Sequence, residues 1–379
     1  MRIGKINISH YINYVVIGLI TVILGGISLS GGKLDSSLLY LLEKMAISII
    51  LAVSLSLVVG FLGELSLGHA GFMCVGAYLG GKVSALLVPV LGNGPVAFLV
   101  ALLVGAGAAA VCGVIIGLPA LRLRGDYLAI VTLAFGEIVK SLFMNSSDAS
   151  FGGSLGLSTP RYDKNYLFII AFALVLLTLM VVQNLMRSKH GRAITSIRDN
   201  EIAARATGIN VTKYKLLAFT ISAALAGVAG VLYSYSNYRV QSITFGYNYS
   251  IDILVMVVLG GMGNINGSII AAALITFLDT KLATVLTGNM AVLQNLFYAL
   301  ILIVIVIYNN APALKGAREK YNIGAILGRF SRKKEDPSNI RDDKAKWDVI
   351  TTKINMDEIL SVDLKAQEID APEEQGGAK

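Results

Sequence analysis

The chain is built from long apolar stretches separated by short polar segments. A helix needs about 20 mostly apolar residues to cross the roughly 30 Å hydrocarbon core of a bilayer. Stretches close to or above that length lie at about Tyr11–Leu29, Leu38–Leu62, Ala70–Val88, Pro95–Leu118, Tyr127–Met144, Tyr166–Met186, Leu217–Tyr235, Ile251–Phe277 and Val292–Tyr308. This pattern predicts an all-α fold, a polytopic bundle of transmembrane helices.

Composition places the chain in lipid and excludes an ordinary soluble domain. Of its 379 residues, 55% are hydrophobic and 15% are charged, whereas soluble chains carry about 25% charged residues. Cys74 and Cys112 both lie in apolar stretches, with no second Cys or His at metal-ligand spacing. We therefore predict neither a disulfide framework nor a metal site.

Basic residues in the connecting loops predict which side of the membrane each loop faces. The segment Arg187–Lys215 holds seven basic residues against two acidic ones, and such loops stay in the cytoplasm. Counting back through the spans puts Asn145–Asn165 outside and the N-terminus inside. Nine simple crossings would leave the tail after Tyr308 outside, yet seven basic residues precede Glu335 in that tail. One candidate span must therefore enter and leave the membrane on the same side. This leaves about eight crossing helices and places both termini in the cytoplasm.

Two glycine-rich segments interrupt apolar stretches. Leu259–Ser268 reads LGGMGNINGS, and Gly63–Phe72 reads GELSLGHAGF. Broken backbone at membrane depth is tolerated only against protein or a watery cavity, and paired breaks in the two halves of a transporter point to its substrate path. We expect re-entrant half-helices at Leu259–Ser268. The predicted path residues are Glu64, Ser66, Gly68, His69, Glu137, Gly260, Gly261, Gly263 and Asn264.

Four ionisable residues lie at membrane depth in this prediction, namely Glu64, His69, Glu137 and Asp252. Such groups are costly in lipid and mark functional sites by default. Two roles stay open for each: lining the path, or a structural role, which for Glu64 and Asp252 would be capping a half-helix, where an acid near the N-terminus is favourable. A secondary transporter that couples to ions through Glu64, Glu137 or Asp252 is the main alternative in another functional class. A channel or scaffold without energy input is a third.

The basic loop contains a short helix with its own start and stop signals. Within Gly191–Asn210, Asn200 is a good N-cap, Glu201 complements the helix dipole and Gly208 can end the helix. A small helix of this kind suits a groove on a cytoplasmic partner. A solvated connecting helix, or one lying on anionic lipid headgroups, fits the spacing equally well.

Four segments resemble one known family. GELSLGHAGF, GDYLAIVTLAFGEI at Gly125–Ile138, the Gly191–Asn210 loop and MVVLGGMGNINGS at Met256–Ser268 are similar to the LivM-type permease subunits of branched-chain amino-acid ABC importers. The resemblance covers about Leu38–Tyr308. It implies that the loop helix is the segment that docks in an ATPase. The coupling residues it implies, together with the neighbouring cap and charges, are Arg198, Asn200, Glu201, Ala203, Ala204, Arg205 and Gly208.

The resemblance also implies partners. A second, LivH-like permease, two ATP-binding subunits and an extracytoplasmic substrate-binding protein would complete the importer in a bacterial cytoplasmic membrane, without nucleic acid. The sequence has no G-x-x-x-x-G-K-[ST] loop to cradle phosphates. ATP and Mg are therefore expected in the partner subunits, and this chain is expected to be neither an enzyme nor a cofactor-binding protein. The predicted docking residues for the binding protein are Gly152, Gly153, Gly156 and Arg161, in a loop that reads equally well as a flexible connector.

Two departures from the family pattern leave the substrate open. Glu64 stands where the family commonly has an uncharged amide, and Leu155 interrupts the outside glycine-rich loop. Relatives with the same signatures handle urea and short amides, which are thus an alternative to branched-chain or related small apolar amino acids. The predicted domains are a membrane permease domain at 1–308, with the coupling loop at 187–216, and a charged cytoplasmic tail at 309–379. Little apolar periodicity marks the tail, so we expect disorder there.

Overall fold

The computed structural model describes residues 14, 17, 18, 21, 35–92, 94–121, 126–160, 164–285, 299, 300 and 303. Predictions for the spans Tyr11–Leu29 and Val292–Tyr308 lie largely outside the described residues, and those for Arg161 and the tail 309–379 lie entirely outside them. The helices and strands are α1 (Ser36–Ser56), α2 (His69–Leu91), α3 (Pro95–Ala120), α4 (Asp126–Met144), α5 (Asp148–Phe151), β1 (Leu157–Ser158), α6 (Lys164–Arg187), α7 (Lys189–Asp199), α8 (Glu201–Ala206), α9 (Val211–Ser236), β2 (Arg239–Val240), α10 (Tyr247–Gly260) and α11 (Ile265–Val285).

Seven helices within the described ranges are long and apolar enough to cross a membrane. They are α1 to α4, α6, α9 and α11, and this confirms the prediction of an all-α polytopic bundle. Most ends agree with the predicted spans to within a few residues. The exceptions are two: α11 ends at Val285 rather than at Phe277, and α9 begins at Val211 rather than at Leu217. Its polar first turn escaped the hydropathy pattern, although Asn210 caps it by accepting a hydrogen bond from the Lys213 backbone nitrogen at 3.1 Å.

Small residues allow the central helices to approach each other closely. α9 packs against α1, α2 and α3. A Cβ on Gly76 would lie 2.3 Å from the Gly227 carbonyl oxygen, and one on Gly230 would lie 2.1 Å from the Met73 oxygen. Such contacts are typical of helix packing in membranes, where van der Waals fit rather than hydrophobic burial holds helices together. Every residue from Ala46 to Ser56 of α1 is buried, so this helix lies inside the bundle.

α10 and α11 form a hairpin that doubles back on itself. Ser236, the last residue of α9, donates a hydrogen bond to Glu43 on α1, and Asp279 of α11 lies 3.6 Å from the neighbouring Lys44. The hairpin therefore starts and ends near the same region of α1. The two arms are unequal. α10 has 14 residues, about 21 Å of helix, while α11 has 21 residues, about 31 Å, which is longer than the expected half-helix.

The bundle has two distinguishable ends. At one of them β1 pairs antiparallel with β2, so that Leu157 faces Val240 and Ser158 faces Arg239. The Tyr78 hydroxyl of α2 donates to the Val240 carbonyl at 3.1 Å and fixes this ribbon to the bundle. We call this the sheet end. The opposite end, where α7 and α8 connect α6 to α9, is called the loop end.

Candidate functional site

The second predicted break contacts a turn that directly precedes the first, at the loop end. α1 passes into this π-helical turn at Leu57–Leu62, which Gly63 ends with φ of +78°; such turns are frequent at functional sites. From here on the turn is counted as part of the first break. A Cβ on Gly60 would lie 2.5 Å from the backbone nitrogen of Gly263, in the second break. The two backbones are in direct contact, with no room for a side chain between them. We call Gly60, Gly63 and Gly263 the glycine junction.

The second break is a tight turn between α10 and α11. Gly261 and Gly263 adopt φ of +90° and +81°, a region that only glycine occupies without strain. The Asn264 side chain then caps α11 by accepting from the Gly267 nitrogen at 3.2 Å. A Cβ on Gly267 would lie 1.7 Å from the Gly260 oxygen. These predicted path residues therefore define the shape of the hairpin turn.

The start of α2 is buried between α1 and α4. His69 is 2% exposed, and its Nε2 lies 2.7 Å from the Ser54 hydroxyl oxygen on α1. A Cβ on Gly68 would lie 2.4 Å from the Thr132 carbonyl oxygen on α4. Ser66 is buried as well. The structure thus brings three predicted path residues together inside the bundle, packed against protein.

Glu137 lies apart from the glycine junction, on α4. Its carboxylate pairs with Lys140 at 2.8 Å and accepts a hydrogen bond from the Tyr247 backbone nitrogen at 2.8 Å. Tyr247 is the first residue of α10, so Glu137 provides an acceptor for a backbone nitrogen at the start of that helix. Asp252 is the sixth residue of α10 and does not cap it. His69 and Glu137 thus have separate partners, and no described hydrogen bond connects the two.

The loop holds two helices where the sequence predicts one. Ser188 caps α7 by accepting from the His190 and Gly191 nitrogens. Asn200, with φ of −159°, separates the two helices. Its side chain accepts hydrogen bonds from the Ile202 and Ala203 nitrogens at 3.0 Å and so caps the start of α8. The predicted cap is therefore present. α7 was missed because it is polar, although Ser188 is a recognisable capping residue before it.

The implied coupling residues Ala203 and Ala204 differ in exposure. Ala203 is exposed, whereas Ala204 is buried and is not available to a partner. Ile202, in contrast, is 80% exposed. Gly208 adopts φ of +85°, and the Ile209 nitrogen donates to the Ala204 carbonyl at 3.1 Å. This is the predicted glycine stop, and the exposed face of α8 presents Ile202, Ala203 and Arg205.

Lys215 joins the loop to the first break. Lys215 is the last residue of the basic segment Arg187–Lys215, yet it lies in α9 and is 4% exposed. Its ammonium group donates to Glu64, just after Gly63, and to Glu201 of α8 at 3.0 Å. Glu201 also pairs with Arg205 at 2.7 Å. No local sequence signal predicts the contact between Lys215 and Glu64, because these two residues lie 151 positions apart.

Arg198 joins the loop to both breaks. It is in the last turn of α7, and its Nη1 donates to the Gly60 carbonyl at 3.1 Å. A Cβ on Gly63 would lie 2.7 Å from the Arg198 Cγ, and one on Gly263 would lie 3.5 Å from its Nη1. The predicted coupling residue Arg198 therefore lies over the glycine junction, with Asp199 as its ion-pair partner at 3.0 Å.

The predicted docking glycines shape a compact loop at the sheet end. Gly152, Gly153 and Gly156 adopt φ of +77°, +49° and +85°. A Cβ on Gly152 would lie 2.1 Å from the Gly156 oxygen. Ser154 and Leu155 are the exposed residues between them. The glycines thus build the turn, and the surface they present is formed by these two neighbours.

Fold and site define a polytopic helical membrane protein whose polar loop contacts two backbone breaks. A family model described as branched-chain amino acid transport system / permease component matches residues 37–307. The chain belongs to this family.

Two similar proteins are high-affinity branched-chain amino acid transport system permease proteins LivM. The one from Escherichia coli K12 is 40% identical over 261 residues, and the one from Salmonella typhimurium is 39% identical over 261 residues. The ribose import permease protein RbsC of Escherichia coli K12 is 29% identical over 299 residues, which is 73% of this chain and 86% of RbsC. The match to each LivM protein covers 60% of this chain and 60% of that relative.

Proposed function

We propose that the chain is a permease subunit of an ABC importer for branched-chain or related small apolar amino acids. Family membership and the LivM relatives support the class. The observation on which the coupling role rests is the position of Arg198 of α7, which donates to Gly60 and lies beside Gly263, and thus contacts both breaks of the bundle. In this proposal the chain contributes to the translocation path, while ATP and Mg bind to partner subunits that hydrolyse the nucleotide.

The proposed assembly has a partner at each end of the bundle. At the loop end, two ATP-binding subunits serve this chain and a second, LivH-like permease. The basic charge of Arg187–Lys215 supports a cytoplasmic position for that end. At the sheet end, an extracytoplasmic binding protein would meet the surface around Ser154 and Leu155. The membrane is the bacterial cytoplasmic membrane, with both termini in the cytoplasm.

Ile202 is the sharpest probe of the loop-end contact. Its side chain is 80% exposed and is the large apolar side chain of a six-residue helix that otherwise holds alanines, Glu201 and Arg205. Buried apolar anchors contribute much of the binding energy at protein interfaces. Ile202→Asp should weaken retention of the ATP-binding subunits by about tenfold or more, the effect of losing about 1.4 kcal/mol. Ile202→Leu keeps the apolar surface and is the matched control.

The experiment uses the tagged chain co-expressed with the ATP-binding subunits and the second permease. Co-purification measures docking, and uptake of labelled leucine into proteoliposomes loaded with ATP measures transport. The proposal expects both to fall in Ile202→Asp and to persist in Ile202→Leu. Uptake that needs no ATP-binding subunit and disappears with an ionophore would instead establish the secondary transporter that relies on Glu64, Glu137 or Asp252.

Substrate choice is tested in the same vesicles. Unlabelled leucine, isoleucine and valine should compete with labelled leucine when the binding protein is present, and urea, acetamide and ribose should not. Ribose belongs in this set because RbsC covers most of the chain. ATP-dependent uptake of labelled ribose or of a labelled amide, with no uptake of labelled leucine, would replace the amino-acid assignment while leaving the ABC assignment in place.

A further inference from the structure

Two basic side chains connect the loop helices to the glycine junction, from different elements. Arg198 extends from α7 and donates to the Gly60 carbonyl at 3.1 Å. Lys215 extends from α9 and binds Glu64 beside Gly63 and Glu201 at the start of α8, the second at 3.0 Å. The loop is therefore attached to the first break at two points.

Burial makes the Lys215 contact sensitive to displacement. The Lys215 side chain is 5% exposed and that of Glu64 is 14% exposed. Ions withdrawn from water are tolerated only while they keep their partners. If α8 moved without the first break, Lys215 would have to release either Glu201 or Glu64. Movement of both together preserves the two contacts.

The glycine junction is suited to receive such a movement. Gly60 touches Gly263 through backbone atoms alone, and the Arg198 guanidinium lies 3.5 Å from the position of a Gly263 Cβ. A displacement at Gly60 therefore reaches the α10–α11 turn without an intervening side chain. Both breaks can then respond to one displacement of the loop.

We propose that Arg198 and Lys215 are positioning residues that transmit displacement of α7 and α8 to the glycine junction, and thereby set the spacing of the two breaks during transport. This inference rests on the proposed function, because it assumes that an ATPase docks on the loop. Neither residue needs to touch substrate or nucleotide. Their role is to keep the breaks and the loop moving as one unit.

The test separates docking from transmission. In the assembled transporter, Lys215→Met should retain the ATP-binding subunits and their basal hydrolysis, because Lys215 is buried away from the exposed face of α8. The amount of leucine imported per ATP hydrolysed should fall by about tenfold, a usual size for energetic coupling between sites. Lys215→Arg keeps the cation between the two carboxylates and should restore most of this ratio.

A second variant keeps the test informative if Lys215→Met folds poorly. The double variant Lys215→Met with Glu64→Gln leaves no uncompensated charge at the break, since Glu201 retains Arg205 at 2.7 Å. It should fold and dock yet show the same low import ratio. A wild-type ratio in the double variant would overturn the inference. Absence of ATPase binding and ATP-dependent uptake in the unmodified chain would instead overturn the proposed function.

Discussion

At the glycine junction, the absence of side chains allows the backbones of the two breaks to touch. Gly60 touches a backbone nitrogen, and Gly63 leaves space for the aliphatic part of Arg198. Sequence reasoning identified Gly260, Gly261 and Gly263 because they interrupt an apolar stretch. It did not identify Gly60, which lies inside such a stretch and looks like an ordinary membrane glycine. Close approach between segments that are distant in sequence produces no local sequence pattern, so it is visible only in the folded structure.

Replacing Gly60 by alanine should destabilise the protein. The new Cβ would lie 2.5 Å from the Gly263 nitrogen, and overpacking of this kind costs about 1–3 kcal/mol. Gly107→Ala is the control, because a Cβ there meets nothing within 4 Å and alanine improves a helix by about 0.5–1 kcal/mol. Thermal unfolding in detergent measures both. A Gly60→Ala protein as stable as Gly107→Ala would contradict the direct backbone contact.

Charged residues divide into those whose partners are near in sequence and those whose partners are not. The Glu137–Lys140 and Glu201–Arg205 pairs are one helical turn apart, the spacing at which side chains meet on a helix. Such pairs can be predicted from sequence. The Lys215–Glu64 pair cannot, because its two residues meet only through the packing of α9 against the first break.

At the scale of the element, capping residues predict the ends of α8 better than hydropathy predicts the ends of longer helices. Asn200 and Gly208 act through hydrogen bonds and backbone conformation within a few residues, so their effect does not depend on distant parts of the fold. The start of α9 is marked by the polar cap Asn210, which lies outside the apolar stretch. The first turns of α9 also contain Lys215, whose partners Glu64 and Glu201 come from other parts of the fold.

Removing the cap of α8 should loosen that helix alone. Asn200 accepts hydrogen bonds from the Ile202 and Ala203 nitrogens, and loss of an N-cap costs about 1 kcal/mol. Asn200→Ala should therefore speed hydrogen exchange over Glu201–Ala206 and leave α7 unchanged. Asn200→Ser supplies another capping oxygen and should restore most of the protection. Equal exchange in all three proteins would mean that tertiary contacts, rather than the cap, hold α8.

At the scale of the whole molecule, the α10–α11 hairpin bears on the conflict in the charge pattern. A segment that goes to the loop end and returns adds two crossings or none, so it does not by itself change the side on which the following segment begins. Charge counting predicted that one segment must return. It could not say how deep the hairpin reaches, because the Gly and Asn residues of the turn fit a turn in mid-membrane as well as one at the loop end.

Cysteine labelling can distinguish these depths. In a chain with Cys74 and Cys112 replaced by alanine, Ser154→Cys marks the sheet end and Thr207→Cys the loop end, both at exposed positions. Met262, in the hairpin turn, is 66% exposed. Contact of the neighbouring Gly263 with Gly60, beneath Arg198, places the turn at the loop end.

An impermeant maleimide should therefore label Ser154→Cys in intact cells. It should label Met262→Cys and Thr207→Cys only after permeabilisation. Labelling of Met262→Cys from outside would show that the hairpin turns back before the loop side, and the Gly60–Gly263 contact could not then lie against the cytoplasmic loop.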